Sequence, residues 1–256
     1  MKKIVLSFDT EPDLHSNNYL SITQGLSEIK AILDRNKIKA TFFVTCDCII
    51  KYPKIFQDLK KEDHEISLHG YTHTRFDELS LEEKEDSIKK SISCFKKILK
   101  QSPKGFRAPQ HSIDKDTLRL LEKYDFKYDS SRTPLNFLQF IFFPKKLKLN
   151  IESFFSKPQR YNLGRLKEIP PTSLFMPFVS LVLRAFPRIL QRIYLFFLFS
   201  CFDEVVFYAH SWDFIKIPES GLDRKFSHER VISNLDYLIK LIKNKGAFVK
   251  AEELAD

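Results

Sequence analysis

The sequence predicts an α/β protein whose seven or eight strands close into an irregular (β/α) barrel, and three observations predict it. Short apolar runs alternate with helical patterns along most of the chain, the punctuation of parallel strands joined by helical crossovers. Acidic, histidine and arginine residues follow the C-terminal ends of several of those runs, where barrel enzymes carry their chemistry. At 256 residues, with nothing resembling a flexible linker, the chain suits one domain with one large core.

The elements follow in order. Ile4 to Phe8 reads as a first strand, a helix runs near Leu20 to Asn36, Ala40 to Thr45 is a second strand, and a helix follows near Pro53 to Lys61. Glu65 to Leu68 is a third strand. Ser80 with Glu83 forms a capping box that opens a helix reaching about Lys100. Gly105 to Ala108 is a fourth strand, Lys115 to Tyr124 a helix and Phe126 to Ser130 a fifth strand. The pattern loosens from Thr133, and an aromatic-rich insertion spanning about residues 133–202 is expected to decorate the barrel, with a strand-like piece at Leu166 to Ile169. Val205 to Ala209 is a strong strand, Ser227 to Asn244 a helix and Ala247 to Lys250 a last short strand.

Leu174 to Phe202 is apolar enough to be compared with a membrane span. Arg184, Arg188 and Arg192 interrupt it, and its longest charge-free stretch, Ile193 to Phe202, is about half the roughly 20 residues that a span requires. Arginines at every fourth position share one helix face, so two readings stand: an amphipathic helix of the domain, or a basic face docking at an anionic membrane or a lipid-linked phosphate.

Composition narrows the class. Hydrophobic residues at 43% and charged residues at 29% exclude disordered and fibrous architectures. A net charge of +9 favours an anionic partner, but no zinc-finger spacing, basic helix with heptads or aromatic-basic strand motif supports nucleic acid. Lys2 and Lys3 run directly into the first strand, whose end already carries acidic residues, so no signal peptide is expected and a cytoplasmic location follows, peripheral to the inner membrane face if the basic helix docks there. The cysteines, Cys46, Cys48, Cys94 and Cys201, form no C-x-x-C pair and read as reduced thiols.

The chemistry concentrates at strand ends. Asp9 and Glu11 flank Thr10, and strand alternation sends both carboxylates the same way; two acids facing one spot repel unless a metal ion takes one and leaves the other as a base. His69 and His73, in HGYTH after the third strand, are spaced to lie on one face of a helical turn, and one carboxylate completes a metal triad with open positions. Arg107 in FRAP, Asp129 in YDSS and His210 in YAHSWD follow later strands. Taken singly, each has an ordinary structural reading: loop acid, core histidine, ion pair or turn cap. Their shared placement at the ends of parallel strands is what gathers them into one site.

The ordered set of D-x-E, H-x-x-x-H, FRAP, YDSS and a final apolar strand ending in His resembles the polysaccharide deacetylase family, in the NodB-homology, carbohydrate esterase family four sense. The match runs from Ser7 to about Asp213 and is loose from Pro134 to Phe202. The resemblance implies the irregular barrel of the glycoside hydrolase/deacetylase type. It also implies roles: Asp9 as general base, Glu11, His69 and His73 as metal ligands, Arg107 holding Asp9 ionised and oriented, and His210 as the general acid that protonates the departing amine.

The chain departs from the family pattern in three places. Its first motif separates the carboxylates instead of pairing two aspartates, which leaves Glu11 and Asp13 both as candidate ligands. Gln110 and His111 stand where an aromatic often cradles the sugar, and Ser211 and Asp213 flank Trp212 where His-Pro-Trp-Glu is common. Asp129, His111 and Trp212 are the expected substrate contacts, with Trp212 read either as a sugar-stacking wall or as a core aromatic.

The expected activity is therefore metal-dependent removal of an N-acetyl group from an acetamido sugar, in a glycan or in a nucleotide- or lipid-linked precursor of surface glycan, whose anionic carrier suits the positive chain. Two other readings stand beside it: an amidase or deformylase using the same metal site, and a catalytically silent glycan-binding relative. Zinc is the default ion, and cobalt, nickel, manganese or ferrous iron suit the same donors.

Overall fold

The computed structural model describes residues 1–13, 18–135, 147–217 and 226–256. Its centre is β1 (Lys2–Thr10), a strand buried on both faces along most of its length, as a parallel strand covered by helices must be. β2 (Thr41–Val44), β3 (Glu65–Leu68), β4 (Gly105–Phe106) and β5 (Tyr128–Asp129) extend the sheet on one side of β1, and β8 (Glu204–His210) flanks it on the other. β9 (Gly246–Phe248) pairs with the start of β1. With β6 (Tyr161–Leu163) and β7 (Leu166–Glu168) at one edge, the nine-stranded order is β6-β7-β5-β4-β3-β2-β1-β8 with β9 beside β1, and every pairing is parallel except the β6–β7 hairpin. The sheet curls as the expected irregular barrel does, and among the described residues no pairing joins its two ends, β6 and β8.

The helices cover this sheet. A π-helical turn (Ser21–Gly25) leads into α1 (Leu26–Asn36), and α2 (Cys46–Lys51), α3 (Pro53–Lys61), α4 (Leu81–Leu99) and α5 (Lys115–Lys123) follow. The Ser80–Glu83 capping box closes both ways, and Asp114 caps α5 by accepting from the Thr117 N–H at 2.8 Å. Helix α2 has no counterpart among the expected elements, because six residues are too few to show a periodicity.

The segment expected as an insertion holds α6 (Leu147–Phe154) and the hairpin strands β6 (Tyr161–Leu163) and β7 (Leu166–Glu168), which add two strands to the sheet edge; residues 136–146 lie outside the described residues. The single helix read across Leu174–Phe202 is instead two, α7 (Ser180–Ala185) and α8 (Arg188–Cys201). Pro187 forces the residue before it out of the helical region, and Phe186 is extended at φ −81° and ψ 135°. Arg184 is consequently separated from the face that Arg188 and Arg192 share on α8. Arg184 is buried and paired with Asp213, Arg188 lies over the Tyr237 ring at 4.6 Å, and Arg192 is exposed. Helices α9 (His228–Ile242) and α10 (Glu252–Ala255) complete the fold. No described helix is long and apolar enough to cross a membrane.

Candidate metal centre and active site

Parallel strands ending side by side assemble the site. Register pairs Asp9 of β1 with Phe43 of β2 and with His210 of β8, so the acid and the histidine stand on adjacent strands at one level. His69 follows β3 and Arg107 follows β4 directly, which brings both to the same C-terminal edge.

His69 and His73 do not share a helical turn. Gly70 between them has φ +94°, a conformation that ends any helix and suits glycine, and a Cβ there would lie 2.8 Å from the Thr72 carbonyl oxygen. The resulting bend still brings the imidazole centroids to 5.4 Å. Glu11 Oε2 lies 3.2 Å from His69 Nε2 and 2.5 Å from His73 Nε2, and one ligand atom from each of the three residues lies within 4.8 Å of the others. Asp13, the other candidate ligand, is engaged elsewhere: it accepts the backbone N–H groups of Leu20 and Ser21 at 3.0 and 2.7 Å.

The donor set fits a divalent cation. His69 Nδ1 lies 2.7 Å from the Arg107 carbonyl oxygen; an N–H at Nδ1 donates there and leaves the Nε2 lone pair for a metal. One carboxylate and two imidazoles, with no fourth ligand in the cluster among the described residues, leave positions open. A second acidic cluster, Asp34, Glu62 and His64, already holds a cation of its own, since Lys30 pairs with both of its carboxylates at 2.5 and 2.8 Å.

Asp9 sits 3.6 Å from His69 Nε2 through Oδ2, while its Oδ1 accepts from Arg107 Nη1 at 2.8 Å. Arg107 is fully buried. It donates from Nε to the Ser130 carbonyl at 3.0 Å and from Nη2 to the Ser130 and Ser7 hydroxyls at 2.7 and 3.1 Å, and its guanidinium stacks 4.1 Å from the Phe43 ring centre. Burial pushes the Asp9 carboxyl upward, but the positive field led by Arg107 outweighs it and holds the acid below its ordinary range. For Glu11, burial again opposes ionisation, and the hydrogen bonds from His69 and His73 overcome it, keeping the group well below the usual range.

His210 closes the opposite side. Its Nε2 lies 2.6 Å from the Tyr208 hydroxyl, and its ring stacks on Trp212 at 4.0 Å between centroids and 19° between planes. Asp213 accepts the His210 backbone N–H at 3.0 Å and places Oδ2 3.6 Å from Nδ1, while Arg184 donates to its other oxygen at 3.2 Å. Burial disfavours the imidazolium, but Asp213, Glu11 and Asp9 outweigh it and raise the His210 pKa above its ordinary value. His73 and His210, with side chains 31% and 22% exposed, are the solvent-accessible members of the cluster.

The three expected substrate contacts fall differently. Asp129 is fully buried and accepts from the Ser131 hydroxyl at 2.6 Å, and Ser131 in turn receives the Ala108 N–H at 2.8 Å, so Asp129 braces the loop after Arg107 from behind. Trp212 is half-buried and tied into the site, so it is not a plain core aromatic. Its indole N–H donates to Glu11 Oε1 at 2.8 Å and one ring face lies on His210. His111 packs edge-on to Tyr208 at 5.1 Å with Nδ1 2.9 Å from the Ser131 carbonyl oxygen; burial leads the effects that push its pKa down to about 4, so it is neutral at pH 7.

Tyr208, Asp213 and Arg184 were not among the residues that the sequence assigned to the site. Two signals pointed at the first pair: Tyr208 lies two positions before His210 on one strand and therefore on the same face, and Asp213 stands three positions after it. For Arg184 the sequence holds no signal.

A family model described as polysaccharide deacetylase matches residues 1–128, half of the chain. A peptidoglycan deacetylase-like protein of Gibberella zeae is 35% identical over 109 residues, covering 42% of this chain and 32% of that protein. The chain spans less than half the length of this relative and of a peptidoglycan deacetylase of Helicobacter pylori. Among solved structures, a putative polysaccharide deacetylase from Mycobacterium smegmatis superposes with a TM-score of 0.69 at 15% identity, over 99% of this chain and 88% of that one. A pseudoenzyme of carbohydrate esterase family four from Bacillus anthracis superposes with a TM-score of 0.57 at 14% identity, over 100% of this chain and 66% of that one. The fold is thus shared by a protein described as a pseudoenzyme, so the fold alone does not establish catalysis.

Proposed function

The chain belongs to the polysaccharide deacetylase family, and from that premise we propose that it hydrolyses the N-acetyl group of an acetamido sugar, in a glycan or a carrier-linked glycan precursor, with one divalent ion. The observation that carries the reading is the pairing of two functions in one buried spot: a Glu11, His69, His73 donor set and, 3.6 Å from its His69 Nε2, an Asp9 carboxylate held ionised by Arg107. Relatives named for peptidoglycan support a glycan built from acetamido sugars.

A divalent cation held by Glu11, His69 and His73 supplies Lewis acidity toward the amide carbonyl and toward water, and zinc is the first ion to test. Asp9 is placed to take the proton from the attacking water. Its lowered pKa keeps it unprotonated near neutral pH, and Arg107 limits its rotation. His210 on the adjacent strand holds a proton at Nε2 or Nδ1 for the departing amine, with Asp213 favouring the charged ring. Proton removal and proton delivery are thereby divided between two adjacent strands, β1 and β8.

Mass-spectrometric screening of acetamido sugars with the zinc-reconstituted protein, its chelator-treated form and Asp9→Asn tests this. Loss of one acetyl group with equimolar acetate, only by the metal-loaded wild type, is the expected result. Release of formate or ammonia in place of acetate reassigns the substrate to another amide, and equal turnover by Asp9→Asn removes Asp9 as the base.

A further inference from the structure

Helix α8 is apolar on both sides. Its inner face buries Tyr194, Leu195, Leu198 and Phe199, as a helix packed on a sheet should. Its outer face carries Ile189, Leu190, Ile193, Phe196 and Phe197, each between 46% and 62% exposed. At 3.6 residues per turn these side chains form one stripe about 120° wide from Ile189 to Phe197, not scattered single residues. Phe175, also exposed, extends the patch by packing edge-on against Tyr194 at 5.4 Å. A contiguous exposed patch of this kind marks an interaction surface.

Charge says what the surface meets. Along one border of the stripe stand Arg188 and Arg192, and Lys245 joins them with its ammonium 5.9 Å from the Phe199 ring centre. Arg188 is engaged with Tyr237, Ser233 and Asn234, whereas Arg192 is exposed and has no partner among the described residues. From Leu174 to Phe202 there is no Asp or Glu, and the whole chain carries +9. A second copy seated on this face would bring like-charged borders together, while an anionic lipid surface accepts the cationic border at its headgroups and the phenylalanines and isoleucines below them. The helix has 14 residues, about 21 Å at 1.5 Å per residue, so it is too short to cross a bilayer core of about 30 Å and suits lying in the interface.

We propose that the outer face of α8, with Phe175, docks the protein onto an anionic lipid surface. This goes beyond the deacetylase reading and stands apart from it, because vesicle binding is read without turnover. The docking face is joined to the active-site rim through α7, whose Arg184 holds the Asp213 that faces His210.

Flotation of the full chain with vesicles of phosphatidylcholine alone, or mixed with phosphatidylglycerol, tests the proposal. The wild type should float with the phosphatidylglycerol vesicles and stay behind with phosphatidylcholine alone. The Phe196→Ser, Phe197→Ser double variant should lose about tenfold or more of the bound fraction, and Arg192→Glu with Lys245→Glu should abolish the anionic preference. All four side chains are at the surface, and circular dichroism of each variant checks that it folds. A wild type that binds neither vesicle, or a phenylalanine double variant that floats as well as the wild type, overturns it. So does a concentration-dependent dimer in sedimentation velocity that the double variant abolishes without any flotation, which would assign the face to a second copy.

Discussion

Arg107 Nη1 donates to Asp9 Oδ1 at 2.8 Å across 98 residues of sequence, with both side chains buried. Removing one charge of a buried pair strands the other. Asp9→Asn should therefore lower stability by about 3 kcal/mol, the low end for such a break because the amide oxygen still accepts from Arg107. Deacetylation should fall by about 10²–10⁴ in the same variant. Urea unfolding and acetate release read the two effects separately, and a variant as stable and as active as the wild type contradicts both.

Asp213→Asn tests the acid. Burial draws the His210 pKa down, Asp213 leads the groups that raise it, and the balance lies above the ordinary histidine value. Without that carboxylate the ring gives up its proton at lower pH. The alkaline limb of kcat should move toward acid, so the variant loses more activity at about pH 8 than at about pH 6 relative to wild type. A limb that stays in place excludes Asp213 from the proton delivery.

Trp212→Phe separates ring stacking from hydrogen bonding. Phenylalanine keeps an aromatic face on His210 but has no N–H for Glu11 Oε1. Groups that orient a metal ligand contribute about 10–100-fold in affinity, and zinc affinity measured by chelator competition should weaken by that factor. Unchanged affinity would make the indole a packing group only.

Glu168 offers a test away from the chemistry. Burial leads, and the abutting Asp129 carboxyl adds, to raise its pKa well above the ordinary value, so the native state keeps a proton that an unfolded glutamate releases near pH 4.3. The stability linked to this group is complete below about pH 4.3 and is lost as pH rises through the higher native value. Between about pH 5 and pH 8 the thermal midpoint of the wild type should fall more steeply than that of Glu168→Gln. Parallel curves would show that the native group is ionised.

The alternation of strands and helices was legible because it is a local property of the chain. Glu65–Leu68, Pro53–Lys61 and the Ser80–Glu83 cap stand where periodicity and capping chemistry place them. Asp9, His69, Arg107 and His210 were legible as a group because parallel strands deliver whatever follows them to one edge. The arginine stripe failed for an equally local reason, a proline whose effect on Phe186 outweighed the four-residue spacing.

Side-chain partnership was decided by the tertiary structure alone. Trp212 reaches Glu11 across 201 residues, Arg184 reaches Asp213 from a separate helix, and Asp129 turns inward to Ser131 although its strand ends beside the others. Strand position is written in nearest-neighbour pattern, so a residue's arrival at the site edge follows from the chain itself. Its burial, its partner and hence its protonation depend on which distant element packs over it, and those contacts arise only when the helices close on the sheet.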